Sequence, residues 1–415
     1  MPQLQTMSLS SLTVALMALS MISGDPAFAA DVTQSIEDAL NFGSEGKNGA
    51  VKIDLNSRYE NVDQDKGTQK TANANTIRTR LGLISPTFHG LQGYVEYEGT
   101  HALQSDYNNG RNNKPEFSTV ADPGYNELNQ LWISYSGFSD TIIKGGRQRI
   151  KLDDDRFIGN VGWRQLETTF DSVLITNESI ENLTANVGYI GNAQTGTSTT
   201  ENIDAPIINL NYKAGEYGNL IGYGYLLDYT EQENYTKSNQ TYGIRLNGSP
   251  KVNDIITAHY TAEWSLQKDY QHSPVDYEAH RFNLIGGVTA YKVTLQGAME
   301  QLNGVGANQR FITPLGSNHA FQGWADLFLV TPDNGLRDVF GTVSTNLDND
   351  SFILSGIYHD FTDDTGQTHY GKEYDFQAIK KFDKHYSLLG KYAYYDADQL
   401  NTDTQKFMFQ GNVNF

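Results

Sequence analysis

No cysteine occurs in the 415 residues, which excludes disulfides, thiolate metal sites and cysteine nucleophiles together. Basic residues are the minority, 30 Lys and Arg against 49 Asp and Glu, and the formal charge of -19 makes nucleic acid an improbable partner. Long apolar runs are missing beyond residue 22, so no later segment reads as a membrane helix. A mean hydropathy of -0.51 suits a soluble protein, yet a barrel whose alternate residues face lipid gives the same average. Also absent are the G-x-S-x-G elbow, H-E-x-x-H, phosphate-type glycine motifs, heptads and low-complexity linkers. With no cofactor motif and no second core, the chain reads as one domain without covalent chemistry.

What is present is period-two alternation. Val51, Ile53, Leu55 and Tyr59 alternate with Lys52, Asp54, Asn56, Arg58 and Glu60, the pattern of a strand with one greasy and one wet face. Thr76–Ile84 follows, sending Ile77, Leu81 and Leu83 one way and Arg78 and Arg80 the other. The pattern recurs to the end of the chain and predicts about eighteen strands. Short links such as 136–140, 214–218, 289–290 and 382–385 alternate with long polar ones, which is the organisation of an outer-membrane barrel with short periplasmic turns and long external loops. The fold class is therefore all-β, a single transmembrane antiparallel barrel over residues 51–415. The longest connection, 302–336, contains Phe321–Leu329, read either as an added strand or as a segment folded into the lumen.

Both ends fit that compartment. Leu9–Ile22 is apolar and Ala27-Phe28-Ala29 is a small-x-small cleavage site, so residues 1–29 are read as a signal peptide, although no Lys or Arg precedes the apolar stretch. Residues 30–50 then form a short periplasmic segment, with a helical turn or two over Ser35–Phe42. At the other end Phe407, Phe409, Gly411, Val413 and Phe415 recur at every second position. This resembles the C-terminal signature of bacterial outer-membrane barrels, which implies that Phe415 is read by the barrel-insertion machinery. Outer-membrane lipid and lipopolysaccharide are the remaining expected partners. The negative charge is read as a solvated set of surface loops that divalent cations can bridge.

Three blocks go beyond a barrel pattern. The first is Gly146-Arg147-Gln148-Arg149-Ile150 with Asp153-Asp154-Asp155-Arg156-Phe157-Ile158-Gly159-Asn160-Val161-Gly162-Trp163-Arg164-Gln165 and Thr169-Phe170-Asp171. The second is Gly323-Trp324-Ala325-Asp326-Leu327-Phe328-Leu329-Val330-Thr331-Pro332 with Asn334-Gly335-Leu336-Arg337-Asp338. The third is Val120-Ala121-Asp122-Pro123 with Glu127-Leu128-Asn129-Gln130. Together they resemble the alginate-export family of outer-membrane porins. The resemblance implies a single-chain barrel of eighteen strands with a basic pore, and it specifies the architecture more firmly than the cargo.

A pore for carboxylated sugars needs fixed cations at its constriction, and guanidinium suits carboxylate because it is planar and always charged. Candidates are Arg58, Arg78, Arg80, Arg245 and Arg281 on inward phases, and Arg147, Arg149, Arg156 and Arg164 in or beside the first block. Asp54, Glu60, Glu96, Glu98, Glu263, Glu300, Glu373 and Asp375 fall on the same faces. Two readings stand side by side: acids and bases pair to stiffen the lumen, or a basic ladder from the early strands faces the loop acids Asp153, Asp154 and Asp155 across a gap. Those acids, like Asp360, Asp363 and Asp364, do not match a calcium loop, and no metal site is expected. Trp132, which shares a face with Gln130 and Ser134, and Trp324 are candidate solute-stacking platforms, whereas Tyr135, Tyr260 and Trp264 are phased outward as interfacial anchors. The expected function is passive diffusion of small hydrophilic, anionic solutes such as uronate saccharides. A barrel lipase or protease, or an adhesin or receptor, is the alternative.

Overall fold

The structure, a computed structural model, describes residues 26–43, 47–65 and 69–415. The apolar stretch expected to form the signal peptide, Leu9–Ile22, lies outside the described residues. Helix α1 (Pro26–Leu40) begins ahead of the expected turns at Ser35–Phe42 and runs through the expected cleavage site. The strands that follow are β1 (Ala50–Gln64), β2 (Ala72–Ile84), β3 (Leu91–Asp106), β4 (Asn126–Phe138), β5 (Thr141–Gln148), β6 (Thr169–Asn177), β7 (Leu183–Gln194), β8 (Thr200–Lys213), β9 (Asn219–Tyr229) and β10 (Asn239–Gly248). They continue as β11 (Ile256–Asp269), β12 (Glu278–Ala290), β13 (Val293–Leu302), the small ribbon β14 (Gly304–Gly306) and β15 (Gln309–Arg310), then β16 (Leu336–Leu347), β17 (Phe352–Thr362), β18 (His369–Lys381), β19 (Tyr386–Ala397) and β20 (Thr404–Asn414).

Eighteen of these form one antiparallel sheet in which each strand pairs with its neighbours in sequence, β13 skipping the ribbon to pair with β16. The sheet closes on itself because β1 also pairs with β20, with Asn56 opposite Asn412 and Arg58 opposite Gln410. Closure leaves no open edge, so the ladder N–H and C=O groups can be met within the wall. Phe415 extends the seam: its N–H donates to Ile53 O (2.8 Å) and its C=O accepts from Ile53 N–H (3.0 Å). At the same end of the barrel, the Phe415 ring stacks on His385, centroids 4.3 Å apart, and Glu37 of α1 reaches Lys384 and His385 at 2.6 and 2.9 Å.

Alternation decides which side each residue serves. Leu81, Leu83, Leu131, Ile133, Leu284, Phe407 and Phe409 are exposed on the outer wall, as is the expected anchor Trp264 of β11, whose phase the half-buried Tyr260 shares. Arg58, Arg78, Arg80, Arg245, Arg281 and Lys406 are buried on the inner one. The apolar core therefore sits inside the barrel, where two long connections, 149–168 and 303–335, fold inward. Phe157, Ile158, Leu166, Phe311, Trp324 and Phe328 of these loops are all buried. Phe321–Leu329 is thus an infolded segment and adds no strand to the wall.

At the root of the first loop, Gly146 adopts φ +119°, and a Cβ there would stand 2.3 Å from the Leu131 carbonyl oxygen. Gly146→Val should destabilise the barrel by about 2 kcal/mol or more, from backbone strain and a clash with main chain that cannot retreat. A lowered midpoint in urea-dependent unfolding of the refolded barrel checks this.

Candidate pore constriction

The two infolded loops meet the wall through charges that water no longer reaches, so each charge needs a partner. On the β8–β12 side the packing is dense. Arg281, 0% exposed, lies between Glu263 (3.0 Å) and Glu300. Arg156, from the first loop, reaches the same Glu300 at 3.0 Å and donates to Thr313, Asn318 and Gln322 of the second. Arg245 pairs with Asp154 and, at 3.5 Å, with Glu263. Phe157 packs among these ions against Tyr223, Tyr225 and Phe311, with ring centroids 5.1, 5.9 and 6.1 Å away.

The opposite wall carries a second network. Arg58 pairs with Asp122 (3.0 Å) and lies 4.1 Å above Trp163. Arg164 bridges Glu60 (3.2 Å) to Asp326 (2.9 Å), and Lys406 spans the same two carboxylates at 3.2 and 2.7 Å. Arg78 holds Asp54 at 2.6 Å, while Arg80 reaches Asp54, Glu98 and Glu167. Arg149 joins Glu96 (2.9 Å) to Glu167.

Lys144 and Lys391 belong to none of these pairs. Lys391 is clasped between Trp163 (4.3 Å) and Trp324 (4.1 Å), one from each infolded loop, and donates to His319 Nε2 at 3.1 Å. That contact makes Nε2 the acceptor, so Nδ1–H donates to Asp326 (2.6 Å), and Trp163 stacks on the imidazole at 4.2 Å. Burial pushes the imidazole of His319, a loop residue, down to about 3 despite the neighbouring Asp326 carboxylate, so the ring stays neutral at physiological pH. Lys144 sits 4.2 Å over Trp132, which also meets Tyr94 at 5.5 Å, and these groups are only half-buried. Glu373 and Asp375 of β18 complete the site by accepting the backbone N–H groups of Ala325 (2.7 Å) and Trp324 (3.1 Å).

Eight of the nine expected arginines are gathered here. Arg147 is not: it shares the outer face of β5 with the neighbouring Leu131 of β4 and makes two 2.8 Å bonds to Asp171, because the inward residues of this strand are Lys144 and Gln148. The loop acids do not face Arg78 and Arg80 across a gap. Asp153 accepts from Asn209 (2.7 Å), Asp154 pairs with Arg245, and Asp155 with Lys151 (2.9 Å). The loop crosses the lumen, so its first half lies at the β8–β12 wall and its second half, with Arg164 and Glu167, at β1–β3. Trp132 keeps solvent access, whereas Trp324 is 8% exposed and its face is taken by Lys391. The sequence reading missed Lys144, Lys391 and Lys406 as lumenal groups, although Lys406 alternates with the outward Phe407 and Phe409. Asp122, Trp163, Glu167, His319 and Asp326 have no periodic signal, because they lie in loops.

The model of a protein family described as alginate export matches residues 50–294. Among curated proteins no sequence matches. Solved structures of the same shape include Acinetobacter baumannii OccAB2 (13% identical, TM-score 0.70, covering 88% of this chain and 98% of that one) and Pseudomonas aeruginosa OccK9, also called OpdG (13%, 0.70, 89% and 99%). Pseudomonas aeruginosa OpdK, solved with vanillate, is 12% identical with a TM-score of 0.67 over 88% of this chain and 98% of that one.

Asp326 ties Arg164, Lys406 and His319 to one loop. Asp326→Asn should weaken the docking of 303–335 by about 3 kcal/mol, since it leaves buried cations short of charge. In planar bilayers the variant should show larger and noisier single-channel conductance than the parent. Unchanged conductance with an intact barrel would show that the loop is held elsewhere.

Proposed function

The chain belongs to the alginate export family, and on that premise we propose that it is an outer-membrane porin passing small hydrophilic solutes that carry a carboxylate, uronate saccharides among them. The barrel supplies a closed wall with an apolar exterior, as a membrane-spanning channel requires. Two infolded loops narrow its interior, and at such a narrowing a solute sheds water and the wall charges select it. Export to this membrane through a cleaved signal peptide, and insertion guided by Phe415, belong to the same reading.

One observation carries the preference for anions. Most lumenal arginines, the partly exposed Arg149 included, are paired with acids, while half-buried Lys144 has no acid partner among the described residues and lies against the Trp132 face. A carboxylate entering from this side meets the Lys144 ammonium beside an aromatic plane, and a sugar ring can lie on such a plane while its acid group is held. OpdK, which shares the fold, was solved with an aromatic carboxylate.

The rival reading as a barrel hydrolase meets a geometric objection. His319 and His359 each have an aspartate, but their second nitrogens face Lys391 and Asp375 instead of a hydroxyl nucleophile. The Ser249–His259 contact, at 3.0 Å, has Thr289 as its third member where a carboxylate would be needed.

Lys144→Glu should shift the reversal potential in a salt gradient toward cations, with a change of roughly twofold or more in the permeability ratio. Arg78→Ala with Arg80→Ala should move it the same way, because Asp54 and Glu98 lose their cationic partners and Glu167 keeps Arg149 alone of its two. Uronate oligomers should block the parent current more than the Lys144→Glu current. An unaltered reversal potential in folded Lys144→Glu barrels rules the anion reading out.

A further inference from the structure

At the end of the barrel bearing the long connections lies a cavity of about 410 Å³, touching the constriction network at Arg156, Thr313 and Asn318, within the size range of small-molecule sites. Three connections build it: Arg156 comes from 149–168, Lys237 from the link between β9 and β10, and Arg310 from the β14–β15 ribbon. Its remaining surface is largely apolar, with Ile312, Pro314, Phe328, Leu329 and Val330 contributing. No carboxylate lines it.

Charge and hydrogen bonding narrow the ligand class. Arg156 is spent on Glu300, but Arg310 and Lys237 are paired with Asp333 and Glu201 at the margin, Asp333 being half-exposed. Ion pairs near the surface are worth about 0–1 kcal/mol and yield readily to a competing carboxylate. Arg310 Nε is buried without a hydrogen-bond partner among the described residues. The cavity's hydroxyl and amide groups are mostly committed. Asn318 donates to the carbonyls of Thr313 (3.1 Å) and Leu329 (3.2 Å) and accepts from Arg156 (3.0 Å) and Thr313 (2.9 Å), and Thr331 donates to Phe311 O (2.7 Å). A sugar placed here would leave several hydroxyls unmatched against apolar walls, at a cost for each. A solute with an apolar body and one acid group would not.

We propose that this cavity is a capture site for small organic acids with an apolar body, aromatic monocarboxylates being the class that fits it. Their ring would lie against Phe328 and Leu329 with the carboxylate between Arg310 and Lys237. The proposal goes beyond the channel reading and does not depend on it, since binding is measured on the barrel in detergent without any current.

Saturation-transfer NMR on the full chain, with benzoate, glucuronate and benzyl alcohol as probes, tests it. Benzoate should bind, and Arg310→Gln should weaken it about tenfold, the loss of one charge-assisted hydrogen bond. Val330→Glu, which places an acid at an exposed rim position and leaves the fold intact, should weaken it at least as much. Lys52→Gln, at the opposite end of the barrel, should leave it unchanged. Equal binding of glucuronate, or benzoate binding indifferent to both Arg310→Gln and Val330→Glu, overturns the proposal. Benzoate binding that obeys these variants in a barrel without anion selectivity upholds it while removing the channel reading, and the reverse result separates the two the other way.

Discussion

Asp326 accepts from Arg164, Lys406 and His319 at once, and through them one loop residue is joined to another loop and to the closing strand. Lys406 belongs to β20, the strand that seals the barrel against β1, and Glu60, its other partner, belongs to β1. Barrel closure and loop docking are therefore parts of one charge cluster. A carboxylate removed from water is tolerated only when several donors surround it. Here the donors come from three parts of the chain far apart in sequence, so the cluster forms only when the wall is closed and both loops have folded in. Lys391 repeats the principle with aromatic faces in place of carboxylates, clasped by one tryptophan from each loop.

The same requirement changes what a basic pore means. A row of arginines in sequence suggests a positive wall, but Arg58, Arg78, Arg80, Arg156, Arg164, Arg245 and Arg281 are all matched by acids, buried ones except the Asp54 that pairs with Arg78, and their fields largely cancel beyond the first neighbours. Their pairs hold the infolded loops against the wall. On the proposed reading, selectivity would then fall to a base that keeps both solvent contact and uncancelled charge, such as Lys144. Size exclusion and charge selection would be carried by different residues of the same lumen.

The wall was legible in the sequence because period two is a local property. β2, expected over Thr76–Ile84, ends at Ile84 as the alternation predicts. It begins earlier, at Ala72, because its first residues pair with β1 and β3 although they carry little apolar signal. Loop contacts were not legible, since no period governs them. Asp154 could have met any lumenal cation, and only the path of the chain across the barrel gives it Arg245. Arg147 shows the converse error: its place in a family block outweighed its phase, and the phase, opposite to that of Lys144 and Gln148, puts it outside.

The interior is asymmetric, and this follows from how the first infolded loop divides its residues. Its early half presents Phe157 and Ile158 to the tyrosines of β9, and the resulting contact is dry, with Arg281 and Ile158 almost fully enclosed. Its late half presents Arg164, Gln165 and Glu167, which find polar partners on β1–β3, and Trp163, whose ring lies beneath Arg58. Solvent-reachable charge is left where neither half packs, beside Trp132 and Lys144 on β4 and β5 and at Arg149 where the loop departs the wall. On the proposed channel reading a solute would pass the constriction against β3–β5, away from the sealed β8–β12 side. The groups on that side are the Trp132 face, Lys144, and Arg149 already paired with Glu96 and Glu167.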